Sequence, residues 1–331
     1  MTSKTIVPAL REGSVQISRP ALLAVAASAT ATAGLAAFNA IRARRATEAN
    51  PPLGEFVTVD GVNLHYLAEG TGPTVVLLHG NGTMIEDWIA SGVLPSLAKS
   101  NRVLAFDRPG FGHSSRPRST LWTPSAQAKL IARALDQLGE AQVTIVGHSF
   151  GTLVALALAA ERPELVSSLV LIAGYFYPSP RVDVAFAAPP AVPVIGDVIR
   201  YTASPLIGTG LKPAMEKQMF APAPVSEGWR QQFPFEMTLR PAQIRAAAAD
   251  AALMIPAAAS LAERRPPSGL PLTIIAGEGD KVVDPQGQSC RLADEMEGSK
   301  LLLVSDAGHM VHHTAAETVV GAIKAAASRG A

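Results

Sequence analysis

Short apolar segments alternate with longer amphipathic segments from residue 55 to the end of the chain. The apolar segments are bounded by Gly, Pro or polar residues and have the length of buried strands. The first two flank Asp60-Gly61, a dipeptide typical of a tight hairpin turn. The pattern predicts eight strands, at residues 56–59, 62–67, 74–78, 103–106, 142–146, 169–173, 272–276 and 300–304.

The segments between these strands have helical periodicity. They predict helices at residues 88–99, 124–138, 152–160, 286–296 and 315–327. Strands that alternate with helices form a mostly parallel sheet with helices on both faces. The prediction is therefore an α/β fold with an eight-stranded sheet. Because ligands of such sheets bind beyond the carboxyl ends of the strands, the functional residues are expected there.

The N-terminal segment, residues 1–50, differs in character from the rest of the chain. Residues 21–38 carry no charge and are long enough to cross a hydrocarbon core of about 30 Å. We expect a single membrane-anchoring helix here, and hence a membrane-associated protein. One alternative is an export signal, because Lys4, Arg11 and Arg19 precede the apolar run. The other is a helix that packs on a cytoplasmic domain. Residues 50–54 are predicted to form the linker.

Composition narrows the classes of function. The 331 residues include 28 basic and 27 acidic side chains, and no basic run is interleaved with aromatic residues. This balance argues against a nucleic-acid partner. The single cysteine, Cys290, excludes an intrachain disulfide and a zinc site built on several thiolates. The sequence does not indicate an oligomeric state.

The most informative motif is Gly147-His148-Ser149-Phe150-Gly151, between a predicted strand and a predicted helix. This is the context of a nucleophile elbow, in which a sharp turn exposes a serine hydroxyl above the sheet. The flanking glycines allow strand and helix to approach closely. We therefore predict that Ser149 is the nucleophile of a serine hydrolase.

A serine hydroxyl needs a base, normally a histidine oriented by a carboxylate. His309 follows the last predicted strand, whereas His312 and His313 are expected to form a surface pair. Asp280 follows the seventh strand closely, and Asp284 before Pro285 is typical of a helix N-cap. The prediction is a triad of Ser149, Asp280 and His309, with Asp280 favoured over Asp284 and Glu278 as a third choice.

The oxyanion of the reaction requires backbone donors. The loop His79-Gly80-Asn81-Gly82 follows the third strand, and the residue after His-Gly is expected to turn its N–H toward the substrate. The predicted donors are the backbone N–H groups of Asn81 and Phe150.

These motifs together resemble the α/β-hydrolase superfamily, in the branch that contains esterases, lipases, carbon–carbon bond hydrolases, epoxide hydrolases and haloalkane dehalogenases. The resemblance covers the chain from about Glu55 to the end, implies that residues 55–174 and 271–331 form the core, and rests on motifs in the expected order. It implies that residues 107–114 are a largely structural loop. The motifs are His79 to Gly82, Asp107-Arg108-Pro109-Gly110-Phe111-Gly112-His113-Ser114, Gly147 to Gly151, Gly277-x-x-Asp280 and Gly308-His309.

The identity of the nucleophile narrows the reaction within this branch. Its epoxide hydrolases and haloalkane dehalogenases use an aspartate where this chain has Ser149. The expected function is a serine hydrolase that cleaves an ester or related acyl bond through an acyl-enzyme, with no metal, nucleotide or organic cofactor. A cofactor-free perhydrolase or haloperoxidase, a carbon–carbon bond hydrolase and a lyase remain alternatives. A non-catalytic binding protein with this fold is the alternative of another class.

Residues 175–270 occupy the place of the family's helical cap. Helices are predicted at residues 210–220 and 241–261. Trp88, Tyr175 and Phe176 are predicted to line a substrate pocket, and the apolar bias of the insertion fits a small molecule with a hydrophobic part.

Overall fold

A computed structural model describes residues 18–181, 184, 187–264 and 266–329. All eight predicted strands are present, and their bounds differ from the prediction by three residues or fewer. The central strands could be predicted from the sequence because they are continuous runs of Val, Ile and Leu, which are typical of strands buried on both faces. The strands are β1 (Glu55–Val59), β2 (Val62–Glu69), β3 (Thr74–Leu78), β4 (Arg102–Phe106), β5 (Val143–His148), β6 (Val166–Ile172), β7 (Leu272–Gly277) and β8 (Lys300–Val304).

The strands form one sheet in the order β1-β2-β4-β3-β5-β6-β7-β8. The pairs β1–β2 and β2–β4 are antiparallel, and the other neighbours are parallel. The β1–β2 turn has positive φ at Asp60 (50°) and Gly61 (75°), as a type I′ hairpin requires. The carboxyl ends of β3, β5, β7 and β8 consequently meet at one edge.

Helices cover both faces of the sheet and continue through the segment between β6 and β7. Two predicted helices are interrupted. Gly92, with φ of 76°, divides the first into two short helices, and residues 286–290 form a π-helical turn. The α-helices, numbered in chain order, are α1 (Arg19–Ala49), α2 (Ile85–Ala90), α3 (Val93–Leu97), α4 (Pro124–Gln137), α5 (Phe150–Glu161), α6 (Ile195–Tyr201), α7 (Ala203–Phe220), α8 (Glu227–Gln232), α9 (Phe235–Thr238), α10 (Pro241–Ala262), α11 (Arg291–Glu295), α12 (Val311–Thr314) and α13 (Ala316–Ala327), with 3-10 turns at Pro163–Leu165 and Pro189–Ala191.

Two hydrophobic clusters fill the space on either side of the sheet. Helices α4, α5, α10 and α11 pack on one face. Helices α2, α3 and α13 pack on the other. A third, smaller cluster joins Ala46 of α1 to Phe220, Trp229 and Met237 and to Met84 and Met310 of the core. The apolar core thus connects the segment between β6 and β7 to the sheet edge where the predicted functional residues lie.

Helix α1 extends well beyond the predicted apolar stretch. Its C-terminal part is attached to the fold: the Asn39 side chain donates to the carbonyls of Tyr201 and Thr202, and Arg42 pairs with Glu236 at 2.8 Å. In its most apolar stretch of 18 residues no residue is buried, and the mean hydropathy is 1.8. Helix α10 is also long and apolar enough to cross a membrane, but it is partly buried against the core.

Candidate active site

Ser149 lies at the sharp turn between β5 and α5. Its φ of 50° and ψ of −119° are strained values for a residue with a side chain. The glycines of the motif explain how this turn fits. A Cβ atom at Gly147 would lie 2.6 Å from the Gly151 carbonyl oxygen, and one at Gly151 would lie 2.3 Å from the Leu78 oxygen. The motif therefore brings β5, α5 and β3 into backbone contact and leaves Ser149 partly accessible.

The three residues of the predicted triad form a chain of two hydrogen bonds. The Ser149 Oγ lies 3.0 Å from His309 Nε2, and His309 Nδ1 lies 2.8 Å from Asp280 Oδ2. Asp280 and His309 are almost fully buried. If the His309 Nδ1–H donates to Asp280, its Nε2 carries a lone pair toward the serine. This is the arrangement by which a histidine removes a serine proton.

The loop after β7 carries both Asp280 and Asp284, the two aspartates considered as partners of His309, and their hydrogen bonds differ. Asp280 Oδ1 accepts hydrogen bonds from the backbone N–H groups of Val282 and Val283, which hold its other oxygen toward His309. Asp284 accepts from the N–H groups of Gln286 and Gly287, as a helix-capping residue does. The structure thus brings Asp280, and not Asp284, to the histidine.

The two predicted oxyanion donors lie on either side of the serine. Phe150 is the first residue of α5. The loop that carries Asn81 is close, because a Cβ atom on Gly80 would lie 3.2 Å from Ser149 Cβ. Within the described part of the chain, the backbone N–H groups of Asn81 and Phe150 have no hydrogen-bond acceptor. The Asn81 side chain is engaged elsewhere, donating to the Ala247 carbonyl at 3.1 Å.

Arg108 holds the loop that carries Asn81. Its guanidinium donates to the carbonyls of His79 and Gly80, each at 2.9 Å. Since the carbonyl and the following N–H of a trans peptide point in opposite directions, the bond to the Gly80 oxygen turns the Asn81 N–H away from Arg108. Residues 107–114 were expected to be largely structural, and within them Arg108 holds the loop of a predicted oxyanion donor.

Arg108 is itself fully buried and paired. Its Nη1 lies 2.6 Å from Asp250 Oδ2, and Arg116 lies 2.9 Å from the other oxygen of Asp250. Asp250 belongs to α10, so a buried ion pair joins the segment between β6 and β7 to the catalytic edge of the core. No motif of the sequence marks Asp250, although it is an isolated acid within an Ala-rich helix.

His79 is neutral in this setting. Its burial, with the positive charge of Arg108, lowers the pKa of His79 to about 4. His79 Nε2 accepts from the Arg108 backbone N–H at 2.9 Å, so its Nδ1 carries the proton and donates to the Gly80 carbonyl. The two nitrogens of His79 therefore join the loop of Asn81 to the loop of Arg108.

The structure buries the three aromatic residues predicted to bind substrate. The Trp88 ring has no exposed surface and packs against His148 and His312. Tyr175 and Phe176 lie in the hydrophobic cluster with α5. In this structure all three pack within the core, and their contact with a substrate stays a prediction.

The prediction that His312 and His313 form a surface pair is wrong. Both side chains are fully buried, and both Nε2 atoms approach Asp87 Oδ1, at 3.1 and 2.7 Å. Burial alone would raise the pKa of Asp87, but the two histidines hold it well below its usual range. The ring of His148 packs on His309 and His312, and its burial lowers the pKa of His148 well below the usual value. A polar cluster thus lies directly behind the predicted base.

Known proteins resemble this chain in sequence and in structure. A 2-hydroxymuconate semialdehyde hydrolase of Pseudomonas sp. (strain CF600) is 36% identical over 136 residues, which is 40% of this chain and 48% of that protein. The chain therefore spans about half the length of this curated relative. A thermophilic esterase from Thermogutta terrifontis has a TM-score of 0.61 at 21% identity, over 84% of this chain and 99% of the esterase.

A further solved structure resembles nearly the whole chain. It is of a membrane phospholipase A described as a bacterial virulence factor, and it has a TM-score of 0.62 at 23% identity. The similarity covers 93% of this chain and 96% of that one. The family model for the alpha/beta hydrolase fold matches residues 73–316, which include both predicted oxyanion loops and the whole predicted triad. The chain belongs to the α/β-hydrolase fold family.

Proposed function

We propose that this protein is a hydrolase that cleaves a carboxylic ester, or a related acyl bond, of a small and partly hydrophobic substrate, with Ser149 as the nucleophile. One observation carries the proposal: the strained Ser149 is hydrogen-bonded to His309, which is hydrogen-bonded to the buried Asp280. A base that is oriented by a buried carboxylate and lies 3.0 Å from a serine hydroxyl activates that hydroxyl for attack on a carbonyl carbon.

The reaction proceeds in two steps. His309 Nε2 takes the Ser149 proton as Oγ attacks the substrate carbonyl, and the oxyanion accepts hydrogen bonds from the Asn81 and Phe150 N–H groups. The intermediate collapses when His309 protonates the leaving alcohol, which leaves an ester on Ser149. Water then gives its proton to His309 and attacks that ester, which releases the acid and restores the serine. Asp280 stabilises the imidazolium formed in each step.

The proposal includes attachment to a membrane through α1. Residues 20–38 of this helix carry no charge and are not buried, and at about 1.5 Å per residue they extend about 28 Å, which is close to the thickness of the hydrocarbon core. Its C-terminal part is bound to the fold through Asn39 and Arg42. This attachment favours a membrane anchor that remains part of the protein, and it disfavours an export signal that is cleaved off. The resemblance to the membrane phospholipase A over almost the whole chain supports the same choice.

A second feature beside α1 supports the membrane location. Helices α6 and α7 carry large apolar side chains that are about half exposed. Exposed apolar surface of this extent in one region is typical of a protein or membrane contact. These residues are Ile195, Val198, Leu206, Ile207 and Leu211.

Substrate profiling tests the proposed bond. The purified full-length chain is assayed with p-nitrophenyl esters of two to sixteen carbons, with Ser149→Ala as the blank. We expect hydrolysis that depends on Ser149 and is fastest with an apolar acyl chain. If no ester of the series is cleaved above the Ser149→Ala rate, the ester proposal is wrong.

The second candidate is hydrolysis of a carbon–carbon bond. The relative from Pseudomonas, whose name describes a semialdehyde hydrolase, favours this reaction. A vinylogous diketone assayed beside the ester series distinguishes the two. If the diketone is cleaved with a kcat/KM at least tenfold above that of the best ester, the carbon–carbon reaction replaces the proposed one.

A further inference from the structure

Several buried polar atoms without a partner gather behind His309. Within the described residues, Asp87 Oδ2, His148 Nδ1 and His312 Nδ1 have no hydrogen-bond partner. Each such atom costs on the order of 1–3 kcal/mol when it is buried alone. Their concentration in one place, with the carboxylate of Asp87 at its centre, requires a physical explanation that the triad does not supply.

The position of the proton on His148 leaves a second unpaired acceptor beside Asp87. The His148 Nε2 lies 3.1 Å from the His309 carbonyl oxygen, which accepts hydrogen bonds only, so the His148 proton is on Nε2. Its Nδ1 is then a bare lone pair, and it lies 4.0 Å from the Asp87 Oδ2. Two buried acceptors that face each other at this distance repel unless a cation or a hydrogen-bond donor lies between them.

We propose that Asp87, His312 and His313 bind a divalent transition-metal ion, with His148 Nδ1 as the fourth donor. The ligand atoms of Asp87, His312 and His313 lie within 4.8 Å of one another. The donors of a tetrahedral zinc site, with bonds of about 2.0–2.1 Å, lie about 3.3 Å apart. The His312 and His313 Nε2 atoms lie 3.1 and 2.7 Å from Asp87 Oδ1, whereas His148 Nδ1 lies 4.0 Å from the other oxygen, Oδ2. Each of these separations is within about 0.7 Å of the tetrahedral one, and a rotation of the Asp87 carboxylate would let one ion contact all four side chains.

The donor set selects the metal. Imidazole nitrogens with one carboxylate suit Zn²⁺ and its neighbours, whereas Mg²⁺ and Ca²⁺ require oxygen ligands. His313 also has the outer partner that a metal-bound histidine normally has, because its Nδ1 lies 3.1 Å from Ser226 Oγ. That contact directs Nε2 toward Asp87.

The position of the site gives the ion a structural role. It would join α2, which carries Asp87, to α12, which begins two residues after His309. Through Ser226 it would also reach the turn before α8. The ring of His148, the fourth donor, packs against His309 and connects the site to the predicted base. The ion therefore holds the histidine loop in place and takes no part in attack on the substrate.

Metal binding to the full-length chain tests this proposal without any variant. The protein is treated with a chelator, dialysed, and titrated with Zn²⁺ against a chromophoric competitor. We expect one equivalent of Zn²⁺ bound with submicromolar affinity, and a Tm about 5 °C or more above that of the metal-free protein. Co²⁺ in place of Zn²⁺ should give intense visible absorption bands of a four-coordinate site.

A matched pair of variants locates the ion. His313→Gln removes one donor and should weaken Zn²⁺ binding at least 100-fold. His113→Gln alters a histidine that lies beside the separate His65–Asp107 pair, and it should bind Zn²⁺ as the wild type does.

Two results would overturn the proposal. One is a wild-type protein that binds less than 0.2 equivalents of Zn²⁺ and shows neither a Tm shift nor Co²⁺ bands. The other is a folded His313→Gln variant with wild-type affinity. If His313→Gln does not fold, the wild-type titration and the Co²⁺ spectrum decide alone. Ester hydrolysis enters neither measurement, so failure of the proposed function would leave this outcome unchanged.

Discussion

The buried carboxylate of Asp250 should contribute strongly to the free energy of unfolding. It accepts hydrogen bonds from Arg108 at 2.6 Å and from Arg116 at 2.9 Å, and neither it nor Arg108 has any exposed surface. The Asp250→Asn substitution keeps the shape of the side chain and removes its charge. Two guanidinium groups, one of them fully buried, then lack a counter-charge.

The magnitude follows from burial. Breaking a buried ion pair by neutralising one partner costs about 3–5 kcal/mol. With a urea m-value of about 3 kcal/mol/M, as expected for a large domain, the midpoint of unfolding should fall by about 1–2 M. Arg108 also fixes the carbonyls of His79 and Gly80, so kcat/KM for an ester should fall about 10- to 100-fold, because the Asn81 N–H loses its orientation.

Asp136→Asn is the matched control. Asp136 accepts two hydrogen bonds from Arg162, at 3.0 and 3.1 Å, but both side chains are substantially exposed. An exposed pair contributes about 0–1 kcal/mol, so the midpoint should move by less than about 0.3 M. Urea unfolding followed by circular dichroism measures both variants. If their losses of stability agree within about 0.5 kcal/mol, the argument from burial is refuted.

Three further predictions concern the loop, the elbow and the triad. Because the pKa of His79 is lowered to about 4, its contribution to stability is complete above pH 6.5 and is lost as the pH falls from 6.5 through 4. Urea unfolding at a series of pH values should show a loss of about 3 kcal/mol, and His79→Gln should show a flatter pH dependence. Gly151→Ala forces a Cβ atom against the Leu78 carbonyl and should abolish hydrolysis and lower Tm. Gly321→Ala, with open space around it, should leave activity unchanged and Tm equal or higher. A normally active Gly151→Ala enzyme would contradict the packing of the elbow. Asp280→Asn should lower kcat about 10³- to 10⁴-fold and Asp284→Asn less than about fivefold in an ester assay, and the reverse order would mean that the wrong carboxylate is assigned.

The sequence was sufficient for the sheet and for the order of the motifs. Buried parallel strands are continuous apolar runs, and the glycines around Ser149 have no other common purpose between a strand and a helix. The preference for Asp280 over Asp284 agrees with their observed hydrogen bonds, because a side chain next to a strand end is directed over the sheet edge.

The sequence was not sufficient for contacts between distant polar residues. His312 and His313 are adjacent polar residues, a pattern typical of a surface, and their burial depends on Asp87, more than 200 positions away. The full length of α1 was missed for a related reason. Its apolar stretch gives way to basic residues that also favour a helix, and Arg42 pairs with Glu236, a contact with a residue distant in the sequence.

Covalent labelling identifies the nucleophile without knowledge of the substrate. The full-length protein is treated with a fluorophosphonate probe and digested, and the modified peptide is identified by mass spectrometry. We expect one adduct, on Ser149, that is absent from Ser149→Ala and forms much more slowly in a His309→Gln variant. Failure of the wild type to react, or equal labelling of Ser149→Ala, would contradict the assignment of Ser149 as the nucleophile.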